Sequence, residues 1–447
     1  MAIDFRVQDF RYPIAIGRLR RTLERTQWLP REELKAYQLE RLRAVLRQAS
    51  ARVPFYRDLF KQRGVKAEDI HSAEDLARLL PLLSKEAVRK AGDRLLAEDA
   101  ARYSPRPYST SGSTGAPVTF YLDKGANILE FVYYWRHWSW AGYRLGDRFA
   151  ELGSQYFLNR PHLRNAACSW QPHLRRLMLN SSRISVESAR EVGNAIRKYR
   201  PRFLKGMASP VYFLALSLKE AGSNDLSLRA VFSTGEVITP AYRAMAEQVF
   251  HCKVLDSYGH MERTAGISQC LEGGYHVVDD YGLLEVIDRK PGLGGDSSSG
   301  QVVGTGLYNM AMPLIRYEVG DTIELFDEGR SCACGRTLPL VKAIHGRQED
   351  VVVTPDGRYI TSIFILPEFV RGVRFAQFVQ ETEKTLSIRV VPGAGWDSAQ
   401  AEALQARAGD LVGPGMDIRI VQILEEDILT DPSGKRRAVI SHANRTS

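Results

Sequence analysis

The sequence predicts an α/β protein, with a large multi-layer N-terminal body over residues 1–345 and a small α+β unit over residues 346–447. Three observations point there. From 118 to about 345, strand-like runs alternate with helical stretches, and past Gly346 the pattern changes to short strands around one helix. The 447 residues, 44% of them hydrophobic, are also more than one ordinary core encloses.

Residues 30–100 read as helical: Leu42, Val45 and Leu46 recur at helical spacing, and a second periodic stretch over 73–80 stops at Pro81. Residues 16–25, with Arg18, Arg20, Arg21 and Arg25, read as a surface helix. Strands are expected at 118–121, 254–258 and 282–286, and helices at 185–199 and 210–221. The aromatic run 131–140 predicts a largely buried helix. Residues 291–300, rich in Gly and Ser, predict an exposed loop. Beyond the break at 346–350 come short strands at 350–353 and 386–391, a helix at 398–408 and a strand at 417–423.

Composition narrows the function classes. No apolar run approaches the roughly 18 residues of a membrane span, and the first 25 residues carry charge instead of an apolar signal region, so a cytoplasmic protein is expected. Five cysteines, an odd number in a long chain, fit a reducing compartment, with Cys168 and Cys252 read as buried apolar residues. The net charge of +9 is spread among 52 acids with no zinc-finger or RNA-binding signature, which argues against nucleic acid.

Residues 108–118, Tyr-Ser-Thr-Ser-Gly-Ser-Thr-Gly-Ala-Pro-Val, carry the strongest chemical signal. Gly112 and Gly115 let the backbone approach a polyphosphate, while Ser109, Ser111, Ser113 and Thr114 add hydroxyl donors. The Gly-Lys-Ser/Thr ending of a Walker loop is absent, so an ordinary P-loop is disfavoured.

Downstream follow, in order, Ser233-Thr234-Gly235-Glu236, Asp256-Ser257-Tyr258-Gly259-His260-Met261-Glu262, Tyr317-Glu318-Val319-Gly320-Asp321, Gly346-Arg347-Gln348-Glu349-Asp350 and Pro432-Ser433-Gly434-Lys435. This ordered set resembles the adenylate-forming superfamily of acyl-CoA synthetases, and most closely its phenylacetate–CoA ligase branch with the CapK-like relatives.

The resemblance implies an ATP-dependent, AMP-forming ligase acting on a small-molecule carboxylic acid, with Mg²⁺ and CoA. It places Ser109, Ser111, Gly112, Ser113, Thr114 and Gly115 on the outer phosphates, and Gly235, Glu236, Ser257, Tyr258 and Gly259 around adenine. Glu262 would hold Mg²⁺, Asp321 the ribose hydroxyls and Arg347 the ribose or phosphate. Lys435, on a mobile lid hinged near Asp350, would be the adenylation lysine. Tyr134, Gly206 and Met207 are placed at the acyl pocket. Val118 stands where many relatives carry lysine, and Met261 where Ser or Thr is usual. The resemblance leaves the acceptor open between CoA and an amine, a glycan hydroxyl or a carrier-protein thiol. The segment Asp356-Gly357-Arg358-Tyr359-Ile360, unlike the Asn-Val-Phe-Pro-Ser-Gln type of sequence of phenylacetate-specific members, shifts weight to the latter group. A third reading, an inactive nucleotide-binding relative, is opposed by the presence of Glu262, Asp321, Arg347 and Lys435.

Cys270, His276, Cys332 and Cys334 together offer three thiolates and one imidazole, the ligand set of a closed structural zinc site. The alternative is a coincidental Cys-x-Cys in a glycine turn, because the spacing is unlike a standard finger.

Overall fold

The computed structural model describes residues 13–109, 118–223, 225–291, 297–326, 329–345, 352–360, 363–429 and 437–443. Its centre is a twelve-stranded sheet. Five strands, Phe149–Leu152, Arg176–Leu179, Phe203–Gly206, Ala230–Thr234 and Lys253–Gly259, run parallel. From Phe149–Leu152 the chain first lays Arg176–Leu179 on one side, then returns to lay Phe203–Gly206 on the other. Strand order therefore reverses beside Phe149–Leu152, and α/β sheets bind ligands at the carboxyl ends of strands at such a reversal. Beyond Lys253–Gly259 the sheet continues as antiparallel strands: Gly266–Gln269, Tyr275–Val277, Leu340–His345, Tyr317–Phe326, Ser297–Gly306 and Gly282–Pro291.

Alternation along each parallel strand builds two cores. Leu204, Val231 and Val254 face the helices Val186–Tyr199, Ala208–Glu220 and Pro240–Phe250. Phe149, Phe203 and Phe232 point the other way, under Trp138 of the helix Lys124–Ser139; the Trp138 and Phe149 ring centroids lie 4.8 Å apart. The helices start where capping side chains stand. Ala126 N–H donates to Asp123 Oδ1 at 2.9 Å, Ser188 N–H to Ser185 Oγ at 3.2 Å, and Tyr242 N–H to Thr239 Oγ1 at 3.2 Å.

The N-terminal part is helical as expected, with Pro13–Thr26, Arg31–Arg52, Pro54–Arg63, Ala73–Leu79 and Lys85–Ala91. Pro13–Thr26 buries Leu23 and Thr26, and Arg136 Nη1 donates to Leu23 O at 2.8 Å. Among the described residues, no helix is long and apolar enough to cross a membrane.

An exposed loop was expected over 291–300, of which residues 292–296 lie outside the described residues. Its described part, Pro291 and residues 297–300, belongs to two long paired strands. Small residues suit that pairing: a Cβ on Gly300 would sit 2.4 Å from the Ile287 carbonyl oxygen, beside a bulge.

The C-terminal unit is a four-stranded sheet in the order Asp417–Gln422, Thr385–Pro392, Val373–Thr382, Val439–Ser441, packed on the helix Ser398–Val412. The buried Arg358 side chain holds it together: Nη1 donates to Leu411 O at 2.9 Å and Nε to Asp356 Oδ2 at 2.7 Å. The same Nη1 reaches Ser182 O, in the large body, at 3.0 Å.

Candidate active site

Three segments converge at the carboxyl ends of the parallel strands. Lys253–Gly259 delivers Ser257 and Tyr258, and the turn after it delivers Glu262. Ser257 Oγ donates to Ser233 O on the neighbouring strand at 3.0 Å, which joins the two strand ends. Tyr317–Phe326 supplies Tyr317 and Asp321. Tyr258 OH donates to Asp321 Oδ2 at 2.9 Å, and Tyr317 OH donates to Glu262 Oε1 at 2.6 Å. That strand is held by Leu83: Leu83 N–H donates to Arg316 O at 2.8 Å, and Glu318 N–H to Leu83 O at 3.0 Å. Gly320, at φ +90°, lies inside this strand directly before Asp321, where the pairing with Ser297–Gly306 shifts register.

Glu262 is buried with no cation paired to it among the described residues, an arrangement that suits a bound divalent ion. His260 Nε2 accepts from Thr264 N–H at 3.2 Å, which puts the imidazole proton on Nδ1. That Nδ1 is buried without a partner, a donor that fits a ligand oxygen.

The expected acyl-pocket residues lie beside these. Tyr134 OH and Thr234 Oγ1 are 3.3 Å apart, and a Cβ on Gly259 would stand 4.0 Å from the same hydroxyl. Burial pushes the Tyr134 phenol well above its ordinary pKa, so it is a neutral hydroxyl. Gly235, at φ +82°, faces Met207: a Cβ there would lie 3.8 Å from its Cε. Gly206 packs closely, since its Cβ would come 2.9 Å from Val211. The Glu236 side chain does something the motif did not announce. Its Oε2 accepts from Ser209 N–H at 2.7 Å at the start of the helix Ala208–Glu220, so the carboxylate is tied to that helix start. Ser109 ends the strand Arg106–Ser109, whereas Ser111, Gly112, Ser113, Thr114, Gly115, Arg347, Asp350 and Lys435 lie outside the described residues.

Cys270, His276, Cys332 and Cys334 come together, with all four donor atoms within 4.8 Å of one another. Cys270 Sγ is 3.5 Å from Cys332 Sγ, and Cys334 Sγ is 3.3 Å from His276 Nε2. Sulfurs around a tetrahedral zinc, each about 2.3 Å from the metal, are separated by about 3.8 Å. His276 Nδ1 is 3.2 Å from Leu338 O, the second contact that leaves Nε2 unprotonated for a metal. Burial lowers the His276 pKa to about 4 and so keeps the ring neutral. A Cβ on Gly274 would meet Cys332 Sγ at 2.9 Å, so glycine is required beside the cluster. Because Gly266 pairs with Gly259 in antiparallel register, Cys270 lies toward the opposite end of the sheet from Tyr258. The cluster therefore stands apart from Tyr258 and Asp321.

The chain is 30% identical over 357 residues to the phenylacetate–coenzyme A ligase of Thermus thermophilus, covering 78% of this chain and 76% of that protein. The chain belongs to the phenylacetate–coenzyme A ligase family, within the adenylate-forming superfamily. Protein CapK of Staphylococcus aureus is 22% identical over 352 residues, covering 75% and 74% of the two chains. The phenylacetate–coenzyme A ligase of Pseudomonas putida is 28% identical over 342 residues, covering 72% of each. Among solved structures, 2-hydroxyisobutyryl-CoA ligase in the postadenylation state with R3-HIB-AMP shares the fold, at a TM-score of 0.57 and 20% identity over 94% of this chain and 91% of that one. No family model matches the chain.

Tyr317, which the motif contains without a role, is a candidate site residue through its hydrogen bond to Glu262. Its position directly before Glu318-Val319-Gly320-Asp321 was visible, but its partner Glu262, 55 positions away, was not.

Proposed function

We propose that this chain activates a small-molecule carboxylic acid with ATP and passes the acyl group to CoA. The carboxylate oxygen attacks the α-phosphorus, pyrophosphate leaves and an acyl-adenylate forms. The CoA thiolate then attacks the acyl carbonyl, and AMP leaves. One observation carries the reading: Tyr258, Asp321 and Glu262, drawn from two motifs, meet at the carboxyl ends of parallel strands in a member of this family.

In this reading Asp321 accepts the ribose hydroxyls, as a short carboxylate can. The Tyr258 ring flanks adenine while its hydroxyl steadies Asp321. Glu262, oriented by Tyr317, holds Mg²⁺, which would neutralise charge on the phosphates. The glycine and hydroxyl loop 109–115 and Arg347 contact phosphate or ribose. Lys435, carried by the unit beginning at 346 and hinged near Asp350, offsets the repulsion between carboxylate and α-phosphate, then withdraws for thioester formation. Cys270, His276, Cys332 and Cys334 hold a structural zinc with no open position for catalysis. The unusual segment at 356–360 bears on packing instead of on the acceptor, since Arg358 and Asp356 serve the small unit's own interior. CoA is therefore the acceptor we favour, and a cytoplasmic location suits both CoA and the free thiols.

The test is acid-dependent ATP–pyrophosphate exchange across a panel of acids, followed by thioester formation with CoA. Exchange that never leads to CoA consumption would select an amine, hydroxyl or carrier-thiol acceptor. No exchange with any acid would sink the adenylation reading.

A further inference from the structure

Phe149–Leu152 and Phe203–Gly206 lie side by side where strand order reverses, and Glu151 stands directly opposite Lys205. Each is the last residue but one of its strand, at the carboxyl end. Both project to the face of Phe149 and Phe203, under the helix that carries Tyr134 and Trp138. That face also carries an aromatic cluster, in which Phe149, Phe203, Phe232 and Trp138 pack together.

The Lys205 side chain is only 5% exposed. Among the described residues its Nζ has no hydrogen-bond partner, and its ion-pair partner Glu151 Oε1 is 3.6 Å away, too far for a hydrogen bond. Glu151 is instead engaged by Arg176, whose Nη1 lies 3.0 Å from Oε2. Two cations thus share one carboxylate. Glu130, the other acid acting on Lys205, is itself 3.7 Å from Arg263 and accepts from Tyr281 OH at 2.6 Å. An ammonium has three donors, and leaving them without acceptors in a buried site is expensive even beside a counter-charge, unless something outside the chain receives them. Burial pushes the Lys205 pKa down, in keeping with a cation short of acceptors. The unused donors sit beside the acyl-pocket residues: Nζ is 5.9 Å from the centre of the Tyr134 ring, and Gly206 and Met207 follow Lys205 directly.

We propose that Lys205 is a specificity-determining residue that binds an acceptor oxygen, carboxylate or hydroxyl, on the part of the acid remote from its reacting carboxyl group. The substrate class is then a carboxylic acid bearing a second oxygen function, and a plain aryl or alkyl acid leaves the ammonium's donors without an acceptor. A pocket built to hydrogen-bond a polar substituent rejects the analogue lacking it far more strongly than an apolar pocket rejects an added group. This inference rests on the adenylation reading above.

The test measures kcat/KM for ATP–pyrophosphate exchange with phenylacetate, its ring-hydroxylated and ring-carboxylated analogues, and aliphatic mono- and dicarboxylic acids of matched length. The wild-type protein is expected to favour oxygen-bearing acids by at least about tenfold, the value of one hydrogen bond to a charged group. The hydroxylated and carboxylated arms tell the two oxygen functions apart. Lys205→Met should abolish the preference, mainly through KM, and Lys205→Arg should retain part of it. A wild-type preference for unsubstituted acids would overturn the proposal. So would a Lys205→Met protein that loses activity on every acid alike with a lowered melting temperature, because that marks a purely structural lysine. Absence of exchange with any acid in the wild type would overturn the adenylation reading itself, an outcome distinct from exchange without the predicted preference.

Discussion

Tyr258 and Asp321 stand 63 positions apart in sequence, yet the tyrosine hydroxyl donates to the aspartate at 2.9 Å, which ties the end of a parallel strand to the antiparallel half of the sheet. A ring and a carboxylate held in one unit suit a nucleoside, with base on one and sugar on the other. Removing the carboxylate loses hydrogen bonds to a charged group, at about 1.5–3 kcal/mol, or roughly 10–150-fold. Asp321→Ala should raise KM for ATP by that factor. Tyr258→Phe keeps the ring and should cost about tenfold or less. Initial-rate kinetics with varied ATP checks both, and an Asp321→Ala protein with wild-type KM for ATP would place the nucleotide elsewhere.

Glu262 is buried with Tyr317 as its hydrogen-bond donor. Burial, then the neighbouring Glu262, raises the Tyr317 pKa, so the phenol stays protonated and donating through the working pH range. Glu262→Gln keeps the shape and removes the charge. It should lower kcat for pyrophosphate exchange by about 10²–10³, the usual loss for one electrostatic element of an active site. Tyr317→Phe should be milder and should raise the Mg²⁺ concentration needed for half-maximal rate. An unchanged Mg²⁺ dependence in both variants would remove Glu262 from the metal.

The sequence exposes some of these features and hides others for physical reasons. Helices that carry their own start signals, such as Ser185 before Val186–Tyr199 and Asp397 before Ser398–Val412, are legible within a few residues because capping is local. The Cys/His set is legible from residue type alone despite its irregular spacing. Short strands such as Phe149–Leu152 and Arg176–Leu179 carry no alternating pattern, since their residues are buried or half-buried whichever face they take, and they went unread. The pairing of Tyr317 with Glu262 and the alignment of Glu151 with Lys205 are products of strand register, which no local window contains. Residues 297–300 read as loop because glycine and serine signal loops, while here small side chains serve a crowded strand pair.

Asp256 gives a pH signature. Burial raises its pKa to about 6, even though Ser257 N–H donates to Oδ1 at 3.0 Å and Tyr275 OH to Oδ2 at 3.2 Å. Above pH 6 the carboxylate is charged in both folded and unfolded chains, and the folded state bears the cost of burying it. As pH falls from about 6 toward the ordinary value near 3.9, the folded state takes up a proton that the unfolded state does not, so this group's contribution to stability rises. Asp256→Asn mimics the protonated form. Its melting temperature should exceed that of the wild type at pH 8, with the gap narrowing at pH 4.5. A gap independent of pH would show that Asp256 titrates normally.

The Cys270 cluster predicts about one zinc per chain in purified protein, since four protein ligands close a tetrahedral site. Cys270 is the most buried of the three thiols, and burial raises its pKa to about 12 when no metal is bound. Cys270→Ser should abolish stoichiometric zinc and lower the melting temperature, and chelation should lower that of the wild type. At temperatures where the variant is folded, its kcat for exchange should remain within a few-fold of wild type, because the cluster lies away from Tyr258 and Glu262. Metal analysis with well under one zinc per chain would end the structural-zinc reading.

The proposed movement of the C-terminal unit can be tested at Arg358 and Lys435. Arg358 crosses to the large body only through the 3.0 Å bond to Ser182 O, and its other bonds stay within the small unit. A rotation between adenylation and thioester formation would break one crossing hydrogen bond here and leave the unit's interior intact. Lys435→Ala should reduce acyl-adenylate formation by orders of magnitude while pre-made acyl-adenylate and CoA still give thioester, because the proposed cycle needs the lysine in only one arrangement. Single-turnover assays of the two half-reactions read this directly. Equal loss of both would mean that Lys435 holds the site together in a single conformation, and the two-step movement would have to be abandoned.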